Sequence, residues 1–429
     1  MLALDSGLEF DEARDADFFA ALPARSGVLL LEMADRAARP YLARTADIRR
    51  AAERLLRPPE AASKRLNLRA VAARIRYRAT GSKFEQTLAL YQNARERLPQ
   101  RYRDLLRLRR PALLKVNLRN EYPRCYVTRG LRADDAFYFG PFASRRAADG
   151  FAEGFLDLFK IRRCQIKIQR DPNYPGCIYS EMKMCLSPCF AGCGKQEYDA
   201  EVFRVLESLE TAGAALRDRL EREREAASEA LDFEQAAAIH KRLEKVATAL
   251  WGLPEIARRV ENIDAVILQR AVQQKTIAVF PVRGGLLGDA MFLNFGELSS
   301  QPRSVEALLR HELDPDAVAA KPAPQMSEPA ASSGEPTDEL PVSTNQASAI
   351  PASDPAEMRR RYGLHSAPAE LSEHLAMLAR WFYSKPREGE IFFREKKEWP
   401  YRRILRACSR LLQPPAPETA RGKAPPSKS

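Results

Sequence analysis

The sequence contains no apolar run that approaches the length of a membrane-spanning helix, which argues against an integral membrane protein. It also lacks the basic start of a secretory signal, because the segment from Asp5 to Asp17 is rich in acids. Acidic charge is not in excess overall, since 69 Lys and Arg stand against 57 Asp and Glu and give a net charge of +12. These absences predict a cytoplasmic protein of roughly two to four domains, with a basic surface suited to a polyanion.

Cysteine is scarce except in one stretch. Five of the seven cysteines lie between Cys164 and Cys193, with the spacing C-x12-C-x7-C-x3-C-x3-C. Thiols gathered in this way in an intracellular protein bind a metal or an iron–sulfur cluster far more often than they form disulfides. Four thiolates suit either a four-iron cluster or a closed zinc site, and the spacing alone does not choose between them. It also leaves open which four of the five cysteines are ligands, whereas Cys125 and Cys408 are predicted to be ordinary buried thiols.

The segment from Gln100 to Asn120 is strongly basic and contains a single acid, Asp104. Such a stripe predicts contacts with phosphates, which supply affinity and salt dependence but little sequence specificity. For about half of these residues the alternative is a solvated helix face. The arginines predicted to contact DNA are Arg101, Arg103, Arg107, Arg109 and Arg110.

Hydrophobic periodicity predicts an α+β protein in which a small α/β domain precedes the cysteine loop, a helical hairpin and a short β-containing region. Strands are expected at Gly27–Leu31 and Tyr41–Ala43, and helices at Ile48–Leu56 and Phe84–Arg97. A stretch rich in Pro, Ala, Ser and acids cannot bury enough apolar surface to order itself. The expected segments are an extension (1–24), the α/β domain (25–130), the cysteine-rich region (131–196), the hairpin (197–250), a β-containing region (251–313), a disordered linker (314–357), a short helical remnant (358–412) and a disordered tail (413–429).

The predicted hairpin has a clear signal where its second helix begins. Asp232 is well placed as the N-cap, and Gln235 follows three residues later as in a capping box. Each helix carries one apolar stripe that it cannot bury alone, so a partner surface is plausible.

These motifs, in this order, resemble the UvrC family, the incision subunit of bacterial nucleotide excision repair. The resemblance rests on the Tyr-Phe-Gly-Pro-Phe sequence of Tyr138–Phe142, on the cysteine loop, and on residues 227–243, which are similar to the family's UVR motif. It implies damaged double-stranded DNA and UvrB as partners, with Phe233 and Leu243 as anchors of the hairpin on UvrB. Packing of those two side chains within the protein is the competing interpretation. The Tyr138–Phe142 segment is expected to be a packing junction.

In that family the cysteine loop holds a [4Fe-4S] cluster. By position, the resemblance implies that the ligands are Cys164, Cys177, Cys185 and Cys189, with Cys193 spare. Zinc is the alternative metal, and a set that includes Cys193 in place of Cys164 is the alternative ligand set.

The family's first incision belongs to an N-terminal GIY-YIG nuclease domain, and this sequence departs from that motif. Gly27-Val28-Leu29 lacks the expected tyrosine, whereas Tyr41 remains and Arg44 keeps only the charge of a lysine. The metal-holding glutamate aligns with Tyr91, and a tyrosine does not replace a carboxylate as a ligand of a hard metal at neutral pH. The resemblance therefore implies a degenerate nuclease site in which Tyr41 and Arg44 are residual.

Other catalytic positions of the family also differ. The arginine of the helix that follows aligns near Ala51, and the asparagine that closes the site reads Arg103. The alternative is an active single-incision endonuclease with a rearranged Mg²⁺ or Mn²⁺ site, into which Glu85 or Glu96 moves. The acidic strands of an RNase H-like domain for the second incision are not evident, and Asp264 is expected to be a structural residue at a strand edge.

Overall fold

The computed structural model describes residues 1–58, 65–296, 304–314, 354–395 and 398–413. Within these ranges the chain forms three antiparallel sheets with helices packed on their faces, which confirms the predicted α+β class. None of the described helices is long and apolar enough to cross a membrane. The predicted linker and tail lie largely outside the described residues.

The first sheet has the strand order β1-β4-β2-β3. The central strand β2 is almost entirely apolar and is buried, because helices cover both faces of the sheet. Helix α2 coincides with the predicted helix, and Asp47 caps it by accepting a hydrogen bond from the amide of Arg50. The elements are β1 (Ser6–Glu9), α1 (Asp15–Ala21), β2 (Gly27–Met33), β3 (Tyr41–Thr45), α2 (Ile48–Leu56), β4 (Ala72–Ala79), α3 (Lys83–Arg97) and α4 (Tyr102–Leu106).

The residues expected to form an N-terminal extension are part of this first unit. Strand β1 pairs with β4, and Phe18, Phe19 and Leu22 are buried in the core beneath α2. The sequence pattern missed this because β1 has only four residues and three of them are exposed.

The second sheet has the strand order β6-β5-β7-β8 and supports the cysteine loop and three long helices. Strand β5 pairs with both β6 and β7, so the unit built on this sheet begins with β5, before the predicted domain end at residue 130. The elements are β5 (Ala112–Asn117), β6 (Cys125–Thr128), β7 (Ala136–Phe142), α5 (Arg145–Leu156), α6 (Ile178–Glu181), α7 (Lys195–Glu210), α8 (Ala214–Glu229), α9 (Phe233–Leu250) and β8 (Arg258–Arg259).

The third sheet has the strand order β11-β10-β9-β13, and β12 also pairs with β10. The predicted helical remnant contributes the edge strand β13 and helices that join all three cores, so it completes the fold rather than trailing from it. The helix α11 begins inside the segment predicted to be linker. The elements are β9 (Ala265–Arg270), β10 (Thr276–Arg283), β11 (Leu286–Leu287), β12 (Met291–Asn294), α10 (Val305–Leu313), α11 (Pro355–Tyr362), α12 (Pro368–Phe382), β13 (Glu390–Phe393) and α13 (Tyr401–Leu412).

Strand β7 joins the cores of two units, which confirms the predicted packing junction. Every residue of this strand is buried. Tyr138 faces the core shared by the first and third sheets, whereas Phe137 and Phe139 face the core of the helices α5 and α7. Tyr383 at the end of α12 donates a hydrogen bond to the carbonyl of Pro141 at 2.8 Å. The alternation of side chains along a strand explains how one short segment serves both cores.

Candidate nucleic-acid interface

A large cavity opens where the first and second sheets meet helix α12. Its volume is about 1140 Å³, and its wall is formed by β3, by the connection from α4 to β5, by the residue after β6, and by α12. Ser144, the N-cap residue of α5, also lines it, so the positive end of that helix dipole faces the rim. Six arginines line the cavity: Arg44, Arg107, Arg109, Arg110, Arg129 and Arg380.

The six cavity arginines are not neutralised by the described part of the protein. Each is exposed, and none of them pairs with a described carboxylate, although many other arginines of the surface do so, such as Arg69 with Asp15 and Arg410 with Glu390. No acid of the described chain lines the cavity. Burial, and then repulsion from Arg380, lowers the pKa of Arg44 from its usual value. Like charges held together at this density favour a polyanionic ligand.

The predicted DNA-contacting arginines divide into two groups. Arg107, Arg109 and Arg110 line the cavity, and Arg107 has a left-handed backbone conformation (φ 45°) that ends α4. Arg101 is exposed but lies outside the cavity wall. Arg103 is bound to Glu373 instead.

The side chains of α3 and α4 meet a pair of acids on α12. Glu373 accepts hydrogen bonds from the hydroxyl groups of Tyr91 (3.1 Å) and Tyr102 (2.9 Å) and from Nε of Arg103 (2.9 Å). Glu370, one turn away, pairs with Arg95. Burial, and then the charge of Glu373, raises the pKa of Tyr91, which keeps its hydroxyl group protonated as a donor. Sequence reasoning missed Glu373, although the spacing of Glu370 and Glu373 places both acids on one helix face.

The cysteine loop lies between α5 and α7. The pKa of Cys185 is raised to about 11, chiefly by burial and to a smaller extent by repulsion from Cys164, Cys189 and Cys177. Cys193 is buried in the helical core, and burial, then the charge of Glu197, raises its pKa, with a smaller contribution from Cys189. Cys185 therefore interacts electrostatically with the other three predicted ligands. Among the described residues, however, no three His, Cys, Asp or Glu side chains stand in an arrangement that could hold a metal ion.

Hydrogen-bond donors surround two of these sulfurs. The amide of Ser187 donates to Sγ of Cys185 at 3.3 Å, and the guanidinium group of Arg162 lies 4.0 Å from Sγ of Cys164. Donors and positive charge of this kind stabilise the thiolate form of cysteine, which is the form that binds a metal. Cys125 and Cys408 are buried away from the loop, as predicted.

Helices α8 and α9 form the predicted antiparallel hairpin. Asp232 accepts a hydrogen bond from the amide of Gln235 at 3.0 Å, as the capping signal indicated. Phe233 is 66% exposed at the turn of the hairpin, next to Leu231, which is 72% exposed. Leu243 packs against the core of the second unit, which favours the competing interpretation for that residue.

Comparison with known proteins identifies the central part of this chain. The family model described as "UvrC/Cho excinuclease, middle domain" matches residues 112–208, which run from β5 almost to the end of α7. Over this central part, the chain is similar to the UvrC family. No solved structure matches it significantly.

The curated relatives are UvrC proteins, and each of them matches this chain over only part of its own length. The UvrABC system protein C of Desulfatibacillum aliphaticivorans is 29% identical over 234 residues, which cover 54% of this chain and 39% of that protein. Those of Carboxydothermus hydrogenoformans and Oleidesulfovibrio alaskensis are 29% and 32% identical, over 53% and 44% of this chain and 37% and 27% of the relatives. The match therefore spans about two fifths or less of these UvrC proteins.

The structure does not bring the two residual nuclease positions of UvrC together. Tyr41 packs against the core beneath α1 and α2, whereas Arg44 lines the arginine cavity on the other face of the sheet. Three residues along a strand place side chains on opposite faces, so the separation follows from the pleat. Ala51, at the position of the UvrC arginine, is buried in the same core as Tyr41.

Of the two glutamates that could substitute in a UvrC metal site, Glu85 is buried and already bound, whereas Glu96 is at the surface. Glu85 is 2% exposed, accepts a hydrogen bond from the amide of Gly81 at 2.8 Å and pairs with Arg78. Burial raises the pKa of Glu85 from its usual value, which disfavours the carboxylate form. Glu96 lies half-exposed beside Arg97.

The remaining acid singled out in the sequence has a structural role. Asp264 accepts a hydrogen bond from the amide of Gly284 at 2.8 Å, just before strand β9 begins. This contact agrees with the expectation of a residue at a strand edge.

Proposed function

We propose that this chain is a DNA-binding protein of bacterial nucleotide excision repair that engages UvrB and does not itself cut DNA. The observation that carries the proposal is the cavity of six arginines without acidic partners among the described residues. Unpaired arginines at this density attract phosphates and release counterions when DNA binds. The similarity of the chain to the UvrC family supplies the repair context.

The proposed absence of cutting rests on the residues at the nuclease positions. Tyr91 stands where the family's metal-holding glutamate aligns, and the nearby carboxylate of Glu373 already accepts three hydrogen bonds. Tyr41 and Arg44 lie on opposite faces of the first sheet. A divalent metal needs oxygen ligands that are free to coordinate it, and these side chains do not supply them.

The test is a nicking and binding assay on a lesion-containing duplex loaded with UvrB, in Mg²⁺ and then in Mn²⁺. We expect retained binding of the chain, a steep fall of affinity with salt, and no cut. A cut on the 3′ side of the lesion that disappears with Tyr41→Phe would instead establish the single-incision endonuclease. An affinity that is flat with salt would remove the DNA-binding proposal.

For the cysteine loop we propose a structural [4Fe-4S] cluster held by Cys164, Cys177, Cys185 and Cys189. The interaction of Cys185 with the other three thiols and the hydrogen-bond donors beside Cys185 and Cys164 support this set. When bound, the group would tie together separate parts of the loop that connects α5 to α7. Anaerobic purification followed by iron, sulfide and zinc analysis tests it. Iron and sulfide should be lost with Cys185→Ser and kept with Cys193→Ser, whereas zinc without iron would refute the cluster.

For UvrB binding we propose the exposed turn of the hairpin, with Phe233 as its anchor. Large exposed aromatic side chains are typical energetic centres of interfaces. We expect Phe233→Ala to weaken capture by UvrB at least tenfold, roughly the effect of losing one such centre. Trp251→Ala is the matched control, because it removes an exposed aromatic side chain just beyond the other end of the same 18-residue helix. Equal effects of the two substitutions would mean that the turn is not the docking surface.

A further inference from the structure

A second cavity adjoins the arginine cavity and differs from it in chemistry. Its volume is about 850 Å³, and it lies between α5 and the end of α9. Phe142 and Ala143 line both cavities, so the two are adjacent. Its wall is mainly apolar and carries two lysines of α9, Lys241 and Lys245.

Aromatic rings form one side of this second cavity. Phe151 lines it, and the Phe151 ring stacks on Phe155 with centroids 5.4 Å apart and an interplanar angle of 17°. At the mouth stands Trp251, which is 88% exposed and is the most exposed large apolar side chain of the described residues. Its exposed indole offers a large flat face on which a ligand can stack.

The second cavity carries two lysines beside its apolar wall. Its acids are Asp157, which is paired with Arg163 at 2.7 Å, and Glu244, which is exposed and lies 3.7 Å from His240. Neither Lys241 nor Lys245 forms an ion pair with a carboxylate of the described chain. A ligand with an anionic backbone and flat apolar faces matches a cationic cavity that is adjacent to an aromatic one.

We propose that the second cavity binds an unpaired nucleobase, with Trp251 as the stacking platform, while the arginine cavity holds the adjoining phosphates. Proteins that bind single strands combine a positive groove with aromatic side chains on which bases stack. A base within a duplex cannot present its face to such a wall, so the ligand class is a single strand or an unpaired stretch within a duplex. This inference rests on the proposed DNA-binding function and adds the form of nucleic acid that the site prefers.

The experiment measures the affinity of the full chain for a single-stranded oligonucleotide and for a blunt duplex of the same length. We expect Trp251→Ala to weaken single-strand binding about tenfold, the effect of losing one stacked base, and to leave duplex binding within about twofold. Trp251→Phe should restore most of the loss, because a phenyl ring still offers a stacking face. Quenching of tryptophan fluorescence by the single strand, absent in Trp251→Phe, gives an independent readout.

A second variant fills the cavity without touching the indole. A Cβ atom at Gly150 of α5 would meet no atom within 4 Å, so Gly150→Leu places a side chain in open space. Leucine is also a better helix former than glycine, so the fold should be kept. We expect this variant to lose single-strand affinity as Trp251→Ala does. Leu66→Ala, at an exposed apolar residue outside both cavities, is the control that should leave single-strand affinity unchanged.

The outcomes separate the base site from the DNA binding on which it rests. If Arg109→Ala weakens binding of both nucleic acids but Trp251→Ala and Gly150→Leu weaken neither, the base site is refuted and DNA binding stands. If no variant affects binding, both proposals fail. If Trp251→Ala weakens capture by UvrB and not single-strand binding, the second cavity is a protein interface and the base site is refuted.

Discussion

The two halves of helix α12 differ in how they contact arginine side chains: the first half pairs with them, and the second half adds an unpaired arginine. Its first turns supply Glu370 and Glu373, which neutralise Arg95 and Arg103 of the first unit. Its last turns supply Arg380, which adds positive charge to a cavity that already holds five arginines. Paired charge at the first half holds helices together, whereas unpaired charge at the second half attracts an anionic ligand. The basic stretch between α3 and β5 is therefore uniform in sequence but has two functions in the folded protein.

The largest effect on DNA binding is expected when the three unpaired arginines of the basic stretch are removed together. We expect the triple variant Arg107→Ala, Arg109→Ala, Arg110→Ala to bind duplex DNA about a hundredfold more weakly at about 0.1 M salt, with a salt slope lower by about two to three units. The control is a triple alanine variant of three arginines of α8, Arg217, Arg222 and Arg224, which removes the same charge outside the cavity. Equal losses in the two variants would show that net charge, and not the cavity, governs binding.

Substitutions in the first half of α12, where the charges are paired, should change the stability of the protein rather than its affinity for DNA. Glu373→Gln keeps the shape of the side chain but removes its charge and one of the two oxygens that accept the three hydrogen bonds, so unfolding in urea should require about 2 kcal/mol less free energy. Glu370→Gln is the matched control. Its side chain is 37% exposed, and solvent screens its pair with Arg95, so we expect a loss below about 1 kcal/mol. The comparison fails if the two variants unfold alike.

Single substitutions test the same difference between paired and unpaired arginines through DNA affinity. Arg380→Ala should weaken DNA binding about eightfold at about 0.1 M salt, the contribution of one phosphate contact. Arg103→Ala should change affinity less than about twofold, because Glu373 already neutralises that guanidinium group. Fluorescence anisotropy with one labelled duplex measures both. A larger effect at Arg103 than at Arg380 would contradict the division of the stretch.

The smallest expected effect is a pH dependence at the paired half. His374 is 5% exposed, accepts a hydrogen bond from the amide of Leu287 at Nδ1, and has a pKa lowered chiefly by burial. The groups that face it are Glu370, Glu373, Arg95 and the ring of Tyr91.

The unfolded chain protonates His374 more readily than the folded chain does. The contribution of the neutral imidazole to the unfolding free energy is therefore complete above the ordinary histidine pKa and is lost as the pH falls below it. Wild-type unfolding free energy should therefore decrease between about pH 7 and pH 5 more than that of His374→Gln. Parallel pH profiles of the two proteins would show that the buried imidazole contributes nothing.

Much of the local structure followed from sequence because its causes are local. The apolar run of β2, the helix Ile48–Leu56 and the Asp232 cap were each predicted and observed. Short amphipathic pieces were predicted less well. The four-residue β1 and β13 form strands only because β4 and β9 lie beside them, and no periodicity of four residues indicates that.

The candidate site shows the same division. Sequence alone determined the basic stretch, the cysteine loop and the hairpin, because charge density, thiol spacing and capping are properties of neighbouring residues. Only the tertiary structure decided that Arg44, Arg129 and Arg380 line the same cavity as the unpaired arginines of the stretch. It also decided that Arg103 is bound to Glu373, and that Tyr41 and Arg44 lie on opposite faces of the sheet. These outcomes depend on contacts between residues far apart in the chain, and an ion pair exists only where folding brings both charges within a few ångströms.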